Sequence, residues 1–330
     1  MNAPSSRPGP LRLGTGPESR PWRARPPLLD QEEPVLQVQS VLYNTDPEGV
    51  ERSLASLERA AELAILPDGR RVRVLVRYGD CSPLRVFEDD RVAEIVERHS
   101  SALDISYTWF GENLGSARGH NTLAAGSRAD FFMTLNPDVV VSPRTITLLL
   151  EPFLRTGVGM TEAKQLPVEH PKDYDRSTGE TSWAATACAV FPRELFEDIG
   201  GFDADTFFMY CDDVDFSWNV RRHGMRVVYQ PAATVFHDKR LGSGASWEPT
   251  SAEQYYSAEA ALLLFHKWSR TDLAERAIGD FDNAPGEHYR AAAEEFRRRR
   301  REERLPQQID SDHEVGVFVE GFYAPHRFAL

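Results

Sequence analysis

An acidic cluster near the middle of the chain has the composition of a proton-transfer site. Asp212, Asp213 and Asp215 follow the apolar run 207–211, and Gly224 stands where a short helix would end. The acids would then lie in the first turn, at the positive end of the helix dipole, where a carboxylate can serve as a general base. Acidic residues are equally typical of ordinary helix N-caps, so this stretch alone favours capping.

A second polar site follows the buried-type strand 131–135. There Asp138 closes an Asn-Pro-Asp turn that begins at Asn136, and far along the chain His237 emerges from the apolar run 234–236. Carboxylates of this kind bind Mg²⁺ or Mn²⁺ together with substrate phosphates, and histidine joins Mn²⁺-type sites. The alternatives are a plain Asx turn and a polar residue at a strand end.

The stretch 111–121 has small residues along a predicted helix. Gly115 and Gly119 would allow close approach of either a ligand or a neighbouring strand, and Arg118 adds a cation suited to phosphate oxygens. The glycine spacing is not that of the G-x-G-x-x-G dinucleotide fingerprint, which argues against a nicotinamide-dependent oxidoreductase.

Composition narrows the class of protein. The net charge of -13 argues against nucleic acid as a partner. Three cysteines without metal-ligand spacing indicate free thiols in a reducing compartment. Because no run reaches the roughly 20 apolar residues of a membrane span and the start lacks a signal-peptide core, we expect a cytoplasmic protein.

Strand and helix patterns alternate after a tail, 1–33, that is rich in Pro, Arg, Gly and Ser and is predicted to be disordered. The alternation predicts an α/β domain over 34–245 with a doubly wound, mostly parallel sheet, followed by a helical extension over 246–330. Ligands bind such sheets at the carboxyl ends of the strands, which makes 43–46 and 78–82 candidate binding loops.

Taken together, five segments resemble the family 2 glycosyltransferases of the GT-A fold, in particular the bacterial rhamnosyltransferase type. They are 111–121, 135–138, 189–203, 208–216 and His237. Each segment alone is weak evidence for the resemblance. Their order and spacing together are strong evidence, and the segments are spread over most of the predicted folded chain. The fold implied is a GT-A, Rossmann-like sheet.

The resemblance implies a role for each matching residue. Asp213 corresponds to the family's catalytic base, with Asp212 in place of the usual glutamate beside it, and Asp138 and His237 correspond to metal ligands. Relatives often carry Val-Asp-Asn-Ala-Ser after the second strand, and here Asp80 is expected to read the base from a shifted position. The donor-binding residues implied are Tyr43, Asn44, Asp80, Asn113, Gly115, Arg118 and Asn136.

The activity implied is an inverting, metal-dependent transfer of a rhamnose-like deoxyhexose from a dTDP or UDP sugar to an acceptor hydroxyl. Mg²⁺ or Mn²⁺ is the expected cofactor, and a glycan, a lipid-linked molecule or a small molecule is the acceptor. A lipid-linked acceptor would place the enzyme at the inner face of the membrane. A non-catalytic sugar-nucleotide or glycan-binding module on the same fold is the alternative.

The predicted extension contains two helices, over 251–268 and 286–305. The second carries the arginine run 297–301, which we interpret as a solvated face balanced by nearby glutamates, although peripheral contact with an anionic membrane is an alternative. The apolar stretch 315–323 is expected to pack on the catalytic domain or on a second subunit of a homodimer.

Overall fold

The computed structural model describes residues 25–28, 31–169, 173–237 and 249–323. Its strands form one sheet with the order β3-β2-β1-β4-β8-β6-β9-β5, and β7 pairs with β9. The strands are β1 (Val35–Leu42), β2 (Arg73–Asp80), β3 (Asp104–Trp109), β4 (Phe131–Leu135), β5 (Val139–Val141), β6 (Val158–Leu166), β7 (Glu180–Thr181), β8 (Cys188–Pro192) and β9 (Arg226–His237).

The strand directions bring the predicted site segments to one edge of the sheet. Strand β1 is parallel to β2 and β4, and β2 is parallel to β3. Strand β8 is antiparallel to both β4 and β6, so β6 and its parallel neighbour β9 run in the direction of β4. The carboxyl ends of β1, β2, β4, β6 and β9 therefore share one edge with the start of β8, as expected for a ligand-binding α/β sheet.

Helices cover both faces of the sheet and form the C-terminal extension. They are α1 (Pro47–Glu62), α2 (Asp89–His99), α3 (Gly115–Ala124), α4 (Thr145–Leu150), α5 (Arg193–Ile199), α6 (Asp212–Arg222), α7 (Ser251–Lys267), α8 (Thr271–Asn283) and α9 (Glu287–Arg301). The core under α1, α2 and α4 is mainly aliphatic. The core under α5 and α6 is aromatic, with Phe191, Phe196 and Phe216 in mutual ring contact.

The predicted α/β architecture is confirmed. Strand β9 continues past Pro231 to His237, because 231–233 bulge out of the β6–β9 ladder and the pairing resumes at Thr234. The extension holds an additional helix, α8, between the two that were predicted. Most of the predicted disordered tail, and the predicted domain boundary near 245, lie outside the described residues.

Arginines of the run 297–301 form ion pairs with acidic residues of the extension. Arg297 pairs with Asp282, Arg299 with Glu259 and Glu295, and Arg300 with Glu275, which ties α9 to α7 and α8. These contacts support the solvated and paired interpretation of the run.

The stretch 315–323 packs on α6, where Phe318 contacts the ring of Trp218 at 5.0 Å, in agreement with one of the two predicted locations. Across the part of the chain described here, no helix has the length and apolarity that crossing a bilayer requires.

Candidate active site

Asp138, His237 and Asn136 converge at the carboxyl edge of the sheet. The pairing of β5 with β9 places Val139 opposite His237, which brings the residue before Val139 to the imidazole. The Nε2 atom of His237 lies 3.3 Å from Oδ1 of Asp138 and 3.4 Å from Nδ2 of Asn136. The imidazole is buried, whereas the Asp138 carboxylate remains open to solvent.

A neighbouring glutamine sets the tautomer of this histidine. Nδ1 of His237 lies 2.9 Å from Oε1 of Gln165, and because a carboxamide oxygen only accepts, Nδ1 carries the proton. Nε2 then directs its lone pair toward the Asp138 carboxylate. Such a hydrogen bond from the second ring nitrogen is the usual support of a metal-binding histidine.

The donor set fits a divalent cation shared with a substrate. A carboxylate oxygen and an imidazole lone pair face each other at 3.3 Å, an arrangement that a cation stabilises. Within 25–28, 31–169, 173–237 and 249–323, no group of three or more His, Cys, Asp or Glu side chains forms a complete metal site. Two protein ligands plus diphosphate oxygens would match the way Mg²⁺ and related ions bind nucleotides.

The acidic cluster forms the first turn of α6, as predicted. The residues before it, Tyr210 and Cys211, both have left-handed backbone conformations, with φ of 67° and 57°. Asp212 is buried, and its carboxylate is within hydrogen-bonding reach of the Ser116 side chain. Burial, followed by the charge of Asp213, raises the pKa of Asp212 to about 7.

Asp213 is the more accessible member of the pair, because it is only half-buried. Its Oδ1 atom accepts a hydrogen bond of 2.8 Å from the backbone N–H of Val214 at the start of the helix. A helix N-terminus stabilises a carboxylate charge, so the first turn of α6 is a suitable position for a general base.

One short segment connects the acidic turn to the Asp138 cluster. At one end, the backbone N–H of Ala184 donates to Ser217 Oγ at 3.0 Å, and Ser217 Oγ donates to the Asp213 carbonyl at 2.7 Å. At the other end, the carbonyl of Ala187 accepts from the backbone N–H of Asn136 at 2.9 Å. The two predicted chemical groups therefore flank the same four residues.

The loops after β1 and β2 are joined at the same edge. Tyr43 is exposed beyond the end of β1, and the backbone N–H of Asn44 donates to Ser82 Oγ at 2.8 Å. Trp109 donates from its indole Nε1 to the Ser82 carbonyl, which attaches the end of β3 to the same loop. This arrangement leaves Tyr43 and Asn44 on the surface where the sequence predicted a nucleoside.

Asp80 requires a correction. Its carboxylate is fully buried, and it accepts hydrogen bonds from the backbone N–H groups of Ser82 and Val86 and from the Tyr107 hydroxyl. A carboxylate satisfied in this way anchors its own loop. The structure therefore does not place Asp80 where it could read a base.

The glycines of α3 pack against protein. A Cβ atom at Gly115, where φ is 71°, would collide with the carbonyl oxygen of Phe208, and one at Gly119 would lie 2.8 Å from Val41. The packing alternative therefore describes Gly115 better than direct donor contact. Asn113 accepts from the N–H of Gly115 at 3.1 Å, and exposed Arg118 pairs with Asp205 at 3.0 Å.

Sequence reasoning missed three residues of this region. Gln165 is buried on β6, which also carries the buried polar residues Thr161 and Glu162, so no sequence signal distinguished it. Ser116 lies inside the segment 111–121, but the sequence analysis assigned it no role. Lys267 lies in the extension and forms ion pairs with Asp203 and Asp215.

Comparisons with known proteins find relatives that are named as glycosyltransferases. The chain is 26% identical over 292 residues to N-acetylglucosaminyl-diphospho-decaprenol L-rhamnosyltransferase of Mycobacterium tuberculosis, covering 74% of this chain and 86% of the relative. It is 28% identical over 232 residues to the pre-mycofactocin glycosyltransferase of the same species, covering 61% and 44%. No family model matches the chain.

Solved structures share the fold. A mannosyltransferase from Pyrobaculum calidifontis in complex with GDP-Man and Mn²⁺ superposes with a TM-score of 0.52 at 18% identity, covering 72% of this chain and 65% of that one. GalNAc-T7 with UDP, GalNAc and Mn²⁺ gives 0.57 at 13% identity, covering 83% and 55%. The chain thus spans less than two thirds of each.

The fold and the named relatives together identify a glycosyltransferase of the GT-A fold. The relative named as a rhamnosyltransferase agrees with the resemblance to rhamnosyltransferase-type proteins that the sequence segments suggested. The assignment as an enzyme removes the reason for the non-catalytic alternative.

Proposed function

We propose that this protein is an inverting, divalent-cation-dependent glycosyltransferase that moves a rhamnose-like deoxyhexose to a lipid-linked glycan acceptor. The observation that carries the proposal is the placement of Asp213 and of the Asp138–His237 pair on either side of the segment 184–187. Asp213 accepts the proton of the acceptor hydroxyl, and the Asp138–His237 pair provides the site for the diphosphate and its cation.

Asp213 acts as the general base. It takes the proton from the acceptor hydroxyl while the hydroxyl oxygen attacks the anomeric carbon from the face opposite the diphosphate. The bond from that carbon to the diphosphate oxygen breaks in the same displacement, so the anomeric configuration inverts. Asp212, buried and with its pKa raised to about 7, holds a proton over part of the neutral range and adds less negative charge beside the base.

Asp138 and His237 would hold the cation, with Gln165 fixing the imidazole and Asn136 beside it. When bound there, a divalent ion would supply electrostatic stabilisation to the diphosphate leaving group. Arg118 adds a second positive group, because its exposed pair with Asp205 is weak enough to be exchanged for a phosphate. Tyr43 and Asn44 contact the nucleoside, and Asn113, just before α3, also contacts the donor.

The substrate classes come from the relatives. The M. tuberculosis rhamnosyltransferase is named for an N-acetylglucosaminyl-diphospho lipid, and it aligns with most of this chain. By analogy, the donor is a dTDP or UDP sugar, with dTDP-rhamnose preferred, and the acceptor is a lipid-linked amino sugar at the inner face of the membrane.

The test is an assay of purified protein with dTDP-rhamnose and with UDP sugars, using N-acetylglucosaminyl-diphospho-polyprenol as acceptor and Mn²⁺ or Mg²⁺ as cofactor. The expected result is transfer from one donor class, with NMR of the product showing the anomeric configuration opposite to that of the donor. A product that retains the configuration would exclude Asp213 as the base of a single displacement.

A further inference from the structure

Lys267 and Trp268 of the C-terminal extension both bind the carboxylate of Asp215 on α6. Lys267 Nζ lies 2.8 Å from Oδ2 of Asp215, and Trp268 Nε1 donates to Oδ1 of the same residue at 2.9 Å. The same ammonium group lies 2.7 Å from Oδ2 of Asp203. All three charged groups are largely withdrawn from solvent, with Asp215 the most deeply buried at 3% side-chain exposure.

The two carboxylates bound by Lys267 stand at the two ends of one loop. Asp203 begins the loop, and Asp215 lies in the first turn of α6, two residues after Asp213. The loop ends in two consecutive left-handed residues, Tyr210 and Cys211. Such conformations are unfavourable for residues with side chains and persist only where the surroundings hold them.

Helix α7 also contacts the middle of this loop. The rings of Phe208 and Tyr256 lie 4.9 Å apart, and the Tyr210 hydroxyl lies 3.5 Å from Oε1 of Glu253. The carbonyl of Phe208 in turn accepts from the N–H of Ser116 at the start of α3. At Phe208 and Tyr210 the loop is therefore held between α3 and the extension.

We propose that Lys267 is a positioning residue for sugar transfer, because by bridging Asp203 and Asp215 it fixes the first turn of α6 and thereby the direction of the Asp213 carboxylate. This inference rests on the proposed role of Asp213 as the base. The extension is then part of the construction of the active site, and Lys267 acts without touching either substrate.

The ammonium group of Lys267 also compensates the negative charge that is concentrated around the first turn of α6. Asp212, Asp213 and Asp215 lie within one helical turn, and Asp203 approaches the same ammonium. Removing one partner of a buried ion pair leaves uncompensated charge and is strongly destabilising. A matched pair of variants separates this effect from positioning: Lys267→Met removes the cation that faces Asp215, whereas Lys267→Met combined with Asp215→Asn also replaces the carboxylate by an uncharged carboxamide.

The experiment measures amide hydrogen exchange of the peptide covering 204–216 and the steady-state rate of transfer from dTDP-rhamnose. Wild type, Lys267→Met, the double variant and the control Arg297→Met are compared. Arg297 pairs with Asp282 on the outer side of the extension, so its loss removes an ion pair away from α6. Binding of dTDP with Mn²⁺ is measured by calorimetry on each protein.

Positioning predicts faster exchange over 204–216 in both Lys267 variants, a fall in kcat of about tenfold or more, and a dTDP Kd within about threefold of wild type. The double variant recovers melting temperature but not kcat. Unchanged exchange over 204–216, or full recovery of kcat in the double variant, would overturn the inference. If the Lys267 variants exchange faster over 204–216 but the wild-type protein transfers no sugar, the structural role of Lys267 is supported and the proposed function is refuted.

Discussion

His237 and Gln165 form the hydrogen bond that prepares the candidate metal site, with Nδ1 of the imidazole 2.9 Å from Oε1 of the carboxamide. The two residues lie on β9 and β6, which run parallel and adjacent, with Gln165 paired to Val235 in the ladder. Because the bond fixes the proton on Nδ1, it leaves Nε2 available next to Asp138.

Replacing Gln165 by Leu should therefore weaken the cation site without removing a ligand. Loss of such a supporting hydrogen bond typically lowers metal affinity by about 10- to 100-fold. Calorimetric titration of Mn²⁺ in the presence of dTDP measures the change. Gln308→Leu, at an exposed glutamine in the extension, is the control and should bind as wild type does; equal affinity in Gln165→Leu would refute the role given to this residue.

Asp213→Asn should fold and bind the donor but lose transfer. The amide keeps the shape of the side chain and cannot accept the proton, so kcat should fall by about 10²- to 10⁴-fold. Steady-state assays with dTDP-rhamnose test this, and exposed Asp90→Asn on α2 provides a control carboxylate. Full activity in Asp213→Asn would remove it as the base.

Asp212→Asn should make the protein more stable at alkaline pH. The raised pKa, about 7, means that the folded protein keeps this proton while the unfolded chain loses it near about pH 4. The folded state therefore binds more protons between these values, and its stability falls as pH rises through the interval. Thermal denaturation should show the variant gaining about 1–3 kcal/mol over wild type at about pH 8 and little at about pH 4. A stability difference that is the same at both pH values would contradict the raised pKa.

Asp80→Ala should destabilise the protein and leave base preference intact. The substitution removes the acceptor of two backbone N–H groups and of the Tyr107 hydroxyl, which should cost about 1–3 kcal/mol of unfolding free energy. Chemical denaturation measures the loss, and the ratio of dTDP to UDP affinity measures base recognition. A changed ratio at unchanged stability would return Asp80 to the nucleoside site.

The sequence predicted the class of fold and most of the chemical groups, because strand and helix periods and the order of its segments are local properties. It could not show that Asp80 points inward, since the donors that satisfy it come from its own loop and from Tyr107 on β3. It missed Gln165 and Lys267 because their partners lie 72 and 52 residues away, where only strand pairing and helix docking bring them together. A proline usually ends a ladder, whereas in β9 a bulge accommodates Pro231 and the pairing resumes at Thr234.

The most direct test of the account is calorimetric titration of the wild-type protein and of Asp138→Asn with dTDP, UDP and GDP, in Mn²⁺ or Mg²⁺ and then in excess EDTA. We predict that wild type binds one nucleoside diphosphate tightly, and that binding is lost in EDTA and strongly weakened in Asp138→Asn. Binding that is indifferent to EDTA and to Asp138, or no binding of any diphosphate under any condition, would contradict a cation-dependent donor site at Asp138 and His237.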